Sequence, residues 1–260
     1  MGTAITIIMM TTGIVMDTTT KLSAQESNGI NAASILSLLH ISSPALPVGA
    51  FAYSQGLEYA LDAGWCKNRE DVQAWIEENL QYGLGQLDLP VFLRMYNAWK
   101  EKDEAAIQYW NESLLAFRES KELYLEDIQV GSAYAQWHLG QEKGQEQRED
   151  AKRSAYIEML EKPTVVAMSS LASVLSDIDE QTALLGFVWS WCENQIASAS
   201  KAMPMGQTDG QLILQSLIPK IVEICEQAKN ITDDEIGTGL MGVAMASSLH
   251  EQQYSRLFRS

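Results

Sequence analysis

Residues 68–84 read NREDVQAWIEENLQYGL, and their apolar positions decide the fold class. Val72, Trp75, Ile76, Leu80 and Leu84 recur three or four apart, the spacing that places side chains on one face of an α-helix. Asn68 supplies an N-cap and Asp71 stands at the third helical position, where the cap's side chain meets a free backbone N–H. The same grammar continues downstream. Pro90 suits a first helical turn, and Val91, Met95 and Trp99 extend one stripe. Asp103 caps a segment carrying Ile107, Trp110, Leu114 and Phe117, and an amphipathic run follows over 120–140.

Residues 141–152, QEKGQEQREDAK, are strongly polar and read as a long loop or exposed turn. Helical patterning resumes over 153–161 and again from Pro163 to Asp177. The stretch Gln181–Ala202 is rich in Leu, Phe, Trp and Ile, so it crosses the centre of the domain. A further helix runs over about 208–229, with Leu214, Leu217, Ile218, Ile221, Val222 and Cys225 as its apolar side. Pro219 inside it predicts a kink or break. Thr232 and Glu235 form a capping box for the last helix. No segment alternates with period two. The expectation is an all-α fold, a single compact domain of about ten helices over 29–250. Residues 1–28 are read as a poorly ordered leader: the apolar stretch at 4–16 has no basic flank, is no secretion signal, and is too short to span a bilayer.

Composition excludes some partners. The chain has 34 acidic against 18 basic residues, a net charge of −16. It lacks the Lys/Arg density that nucleic-acid or anionic-membrane binding requires, leaving protein partners with basic patches, cations, or solubility alone as its meaning. Cys66, Cys192 and Cys225 are far apart and form no CxxC. They read as buried core thiols in a reducing cytoplasm. Catalytic signatures are missing: no phosphate-binding GxxxxGK[ST], no HExxH, no GxSxG. His138 and Glu142 share a helix face but are two ligands only. His40 reads as a core or cap histidine. His250 reads as an exposed side chain or a weak divalent-metal ligand.

Three segments look built for contact. In 43–65, SPALPVGAFAYSQGLEYALDAGW, two prolines and a glycine interrupt the pattern, and a new helix is expected to start near Tyr53 or Ser54. In 201–211, KAMPMGQTDGQ, one helix ends before Pro204 and another opens at Gln207 or Thr208 beside Lys201, Gly206 and Asp209. Residues 251–260, EQQYSRLFRS, mix aromatic and aliphatic groups with two arginines, the residue types of binding hot spots.

Together these segments resemble the UreF family of urease accessory proteins. The resemblance rests on 43–65, on WSWCENQIASASKAMPMGQTDGQ at 189–211, on FRESKELYLEDIQVGSA at 117–133 and on 251–260, in order from about Ala33 to Ser260. It implies an all-helical, non-enzymatic, cytoplasmic scaffold that often dimerises. It also implies partners: UreD (UreH in some organisms), the GTPase UreG and apo-urease, with nickel as cargo and no cofactor of its own. By the family pattern Tyr254, Arg256, Leu257, Phe258 and Arg259 form a partner-docking tail for UreD, with Arg256 reaching toward Tyr53. Lys201, Gly206, Gln207 and Asp209 are the expected face for UreG. Leu249 and Leu212 stand where the family commonly has arginine. The competing readings are an acidic nickel carrier that binds metal directly and a helical enzyme of unknown reaction.

Overall fold

A computed structural model describes residues 32–142, 148–237 and 239–260; the expected leader at 1–28 lies outside them. Among the described residues there are eleven α-helices and no strands. They are α1 (Ala32–Ile41), α2 (Leu57–Asp62), α3 (Arg69–Glu78), α4 (Asp88–Glu101), α5 (Glu104–Ala116), α6 (Lys121–Glu142), α7 (Arg148–Met159), α8 (Val165–Leu175), α9 (Glu180–Ala202), α10 (Gln207–Ala228) and α11 (Met241–His250). The all-α reading holds because the dominant signal was a 3.6-residue period repeated along the chain.

Local chemistry sets the boundaries. Asn68 Oδ1 accepts from the N–H of Asp71 at 2.9 Å, and Asp103 Oδ1 from that of Ala106 at 3.0 Å, as their positions predict. Thr164 and Asp179 cap α8 and α9 in the same way. After α3 the helix widens into one π-helical stretch, Asn79–Leu84, a geometry that inserts an extra residue per turn. Phe92, Met95, Ile107, Met168, Ile178 and Leu184, from α4, α5, α8, α9 and the loop before it, are fully buried at the centre of the core. Phe92 and Phe187 meet with ring centroids 5.2 Å apart. Gly131 of α6 lets that helix lie on the chain at Pro163, whose carbonyl oxygen would sit 2.0 Å from a Cβ placed there.

Several boundaries differ from the sequence reading. The polar stretch 141–152 is not one long loop: α6 runs to Glu142 and α7 begins at Arg148, since Glu, Gln, Lys and Arg are good helix formers whatever their polarity. Pro219 neither breaks nor ends α10. It lies on the exposed side, so the carbonyl it leaves without an intrahelical partner faces solvent. Ile218 and Val222 are 48 % and 47 % exposed and join Leu212 on that outer side, while Ile213, Ile224 and Ala228 complete the buried one. The Thr232–Glu235 capping box forms, but on a single 3-10 turn, Asp233–Glu235, ahead of α11. The helix expected at Tyr53 or Ser54 starts at Leu57, because Gln55 and Gly56 both adopt left-handed backbone.

Candidate docking segment and its buried anchor

The segment 251–260 lies against the chain between the 3-10 turn Ala50–Ala52 and α2. Two backbone–backbone bonds and one from a side chain make this a register and not a loose contact. The N–H of Arg259 donates to Ala52 O at 2.8 Å, and the N–H and Oγ of Ser54 both donate to Ser260 O, at 2.7 and 2.5 Å. Glu58, in the first turn of α2, accepts the N–H of Leu257 at 2.7 Å and that of Phe258 at 2.9 Å, one on each carboxylate oxygen. Ser260 Oγ donates to Glu126 Oε2 at 2.7 Å.

Approach of α11 to α2 makes this possible. Gly56 has φ 80°, and a Cβ there would stand 3.0 Å from both Ala246 Cβ and the backbone nitrogen of Ser247, so glycine meets two demands at once. The adjacent Gln55, with φ 54°, is held by its side chain: Nε2 donates to Glu126 Oε1 at 2.8 Å and Oε1 accepts from Trp191 Nε1 at 2.7 Å. The cost of that backbone region is offset by these two bonds, one to α6 and one to α9.

At the root of the segment His250 is fully buried. Its Nε2 lies 2.9 Å from Glu58 Oε2 and its Nδ1 2.7 Å from Glu122 Oε2, while Arg256 Nη1 donates to Glu122 Oε1 at 2.8 Å. Burial holds the Glu122 carboxyl above the usual carboxylate range, against the opposing pull of His250 and Arg256. Glu126, one helical turn further on α6, is pushed up to about 7, again by burial. It also forms part of the wall of a central cavity of about 240 Å³, shared with Asn79, Leu84, Phe92, Tyr134 and Trp191. A second buried charge cluster flanks that wall: Arg118 donates to Asp88 Oδ1 at 2.6 Å and to Asp127 Oδ2 at 2.7 Å. Asp127 Oδ1 in turn accepts the N–H of Val165 at the start of α8.

The expected contact residues fall into separate environments. Tyr254 is fully exposed and Leu257 is 67 % exposed, whereas Phe258 is buried. Arg256 and Arg259 line a surface hollow of about 420 Å³ with Tyr53, Lys121 and Gln129. Within it Tyr53 OH donates to Gln129 Oε1 at 2.6 Å, and the partner of Arg256 is Glu122. Lys201 Nζ sits over the rings of Phe51 and Phe258, 5.7 and 5.4 Å from their centroids, so it belongs beside the segment. Gly206 and Gln207 open α10 in the exposed turn, and Asp209 pairs with Arg69 of α3 at 3.2 Å.

The histidine readings need correction. His250 is no surface side chain, because α11 packs it between two carboxylates. His40 is exposed in the last turn of α1, its ring 5.8 Å from that of Trp137, rather than in the core. His138 is buried, with Nε2 3.2 Å from Met168 O. All three cysteines are buried and free. Among the described residues no three His, Cys, Asp or Glu side chains are grouped to hold a metal ion, and no helix is long and apolar enough to cross a membrane. The sequence reading missed Glu58, Glu122 and Glu126. One signal was present: Glu122 and Glu126 are four apart on one helix, a spacing at which like charges repel unless other groups hold them.

Comparison with known proteins shows which family the chain is similar to. The UreF family model matches residues 66–218. A Teredinibacter turnerae protein named urease accessory protein UreF is 46 % identical over 87 % of this chain and 98 % of its own length. Proteins of the same name from Hahella chejuensis and Psychrobacter cryohalolentis are 44 % and 39 % identical, covering 87 % and 90 % of this chain and 98 % and 97 % of theirs.

Proposed function

Because the chain belongs to the UreF family of urease accessory proteins, we propose that it is a non-enzymatic cytoplasmic scaffold, working as a homodimer, that bridges UreD (UreH) and the GTPase UreG while nickel is inserted into apo-urease. In this role it modulates GTP hydrolysis by UreG and handles nickel as cargo of the complex. The observation that carries the reading is the pairing of near full-length similarity to proteins of that name with a segment held rigidly by its backbone yet displaying Tyr254 and Leu257 to solvent. Large apolar side chains fixed on an ordered backbone bind a partner without the entropy cost of folding a loose tail. Segment 251–260 is the UreD contact. Lys201, through its place over Phe258, joins that surface, and Gly206, Gln207 and Asp209 are the UreG contact.

The geometry dictates the test. Truncation after Gln253 would remove the Leu257 and Phe258 donors of Glu58 and the Ser260 donor of Glu126, leaving these buried carboxylates only partly satisfied and mixing folding with binding. The double variant Tyr254→Ala, Leu257→Ser changes only residues that are mostly or fully exposed. Co-expressed with UreD and UreG, the wild-type chain is expected to co-elute with both on size exclusion, and the double variant to lose UreD while keeping its own elution volume. Retention of UreD by the double variant removes the segment from the interface. Failure of the wild-type chain to co-elute with either partner overturns the scaffold reading and brings forward the nickel carrier, which equilibrium dialysis with nickel then examines.

A further inference from the structure

Each ring nitrogen of the buried His250 faces a carboxylate oxygen, Glu58 Oε2 at 2.9 Å and Glu122 Oε2 at 2.7 Å. An ionised carboxylate only accepts, and a neutral imidazole has one N–H to give. Glu58 is already an acceptor for two backbone N–H groups, those of Leu257 and Phe258, so Nε2 is the donor to it. The contact with Glu122 then needs one more proton, on Nδ1 or on the carboxyl. Without it two lone pairs would face each other across 2.7 Å in a site closed to water.

We propose that residues 254–260 form a proton-dependent latch, fastened to α2 while the Glu58–His250–Glu122 triad holds its second proton and released when that proton leaves. The coupling is direct, because the carboxylates that clamp His250 are the ones that hold the segment. Glu58 holds it through the N–H groups of Leu257 and Phe258, and Glu122 through Arg256. The charged groups around the ring are Glu58 from α2, Glu122 from α6, and Arg256 and Glu251 from the segment. Glu126 stands one turn along α6, bound to Ser260. Arg256 is the cation in this set, so losing the proton leaves an excess of negative charge. Burial and the neighbouring Glu251 raise the Glu122 carboxyl, which favours keeping the proton. A group raised in the docked state adds to docking at lower pH, and that contribution is lost as pH rises through the raised value.

The experiment is hydrogen exchange of the Leu257 and Phe258 amides in the full chain, corrected for intrinsic exchange, from about pH 5 to about pH 8, where imidazoles and raised carboxyls titrate. Protection is expected to be flat at the acid end and then to fall by up to about tenfold per pH unit, one proton being lost per release. In Glu122→Gln the amide N–H can donate to Nδ1 while its oxygen still accepts from Arg256, so the segment stays protected and the pH dependence disappears. Glu58→Gln leaves one acceptor oxygen for two backbone donors and lowers protection at every pH. The ring ¹⁵N signals of His250 are expected to change with the same midpoint as the protection. Flat wild-type protection, a wild-type slope retained in Glu122→Gln, or a His250 midpoint separate from that of the amides overturns the latch.

Discussion

Glu126 accepts from Gln55 with one oxygen and from Ser260 with the other; an amide can keep the first bond and replace the second by donating to the Ser260 hydroxyl oxygen. Burial pushes its carboxyl up to about 7, above the ordinary value near 4.5 that the unfolded chain regains. A group raised in the folded state stabilises fully below its unfolded value and loses that contribution as pH climbs through the folded one. Glu126→Gln is therefore expected to match wild type in thermal unfolding near pH 4.5 and to exceed it above pH 7, by about 3 kcal/mol at most. An equal melting difference at both ends of that range would show the shift to be absent. Arg118 lies on the opposite side of the ledger: burial opposes its charge, yet Asp127 and Asp88 hold it charged. Arg118→Ala leaves both carboxylates buried and unpaired, and chemical denaturation is expected to show a loss of about 3–5 kcal/mol. Neither residue was legible in the sequence. An acidic side chain on a helix reads as a solvated face until the tertiary partner is known, and the partners here lie 30 and 134 residues away.

At the level of helices, what could be read was what is encoded within a few residues. The caps Asn68 and Asp103 and the long α9 fall where sequence places them because their determinants are three or four positions apart. The start of α2 was misplaced because the Gln55–Gly56 backbone answers to α11, not to its neighbours in sequence. Gly56→Ala forces a left-handed alanine against Ala246 and Ser247, and a loss of about 1–3 kcal/mol in denaturant unfolding is expected. The contact residues of the segment also lose protection from exchange, since α2 carries Glu58. A melting curve like that of wild type would mean that α2 and α11 can part without cost. Gly131→Ala offers a contrast in the same core: it strikes the backbone at Pro163 and Thr164, before α8, more closely than Gly56→Ala strikes α11, and is expected to destabilise by more while leaving 251–260 protected.

For the molecule as a whole, the fold class followed from periodicity, whereas the candidate site depends on contacts that no local pattern encodes. Segments 43–65 and 251–260 stood out by composition as contact surfaces, and the structure brings them against one another. Such a pairing has a temporal side. Ser54 and Glu58 find their partners 206 and 199 residues further along the chain. At the ordinary pace of ribosomal synthesis, about 5–20 residues per second, these groups wait roughly 10–40 s for those partners to be made. During that interval Glu58 lacks the backbone donors of Leu257 and Phe258, and α2 has α9 but not yet α11 to pack against. The nascent chain therefore passes through a stage in which most of its helices can already pack while the loop that carries Tyr53 is unfinished, and factors that guard exposed apolar surface have that interval in which to act.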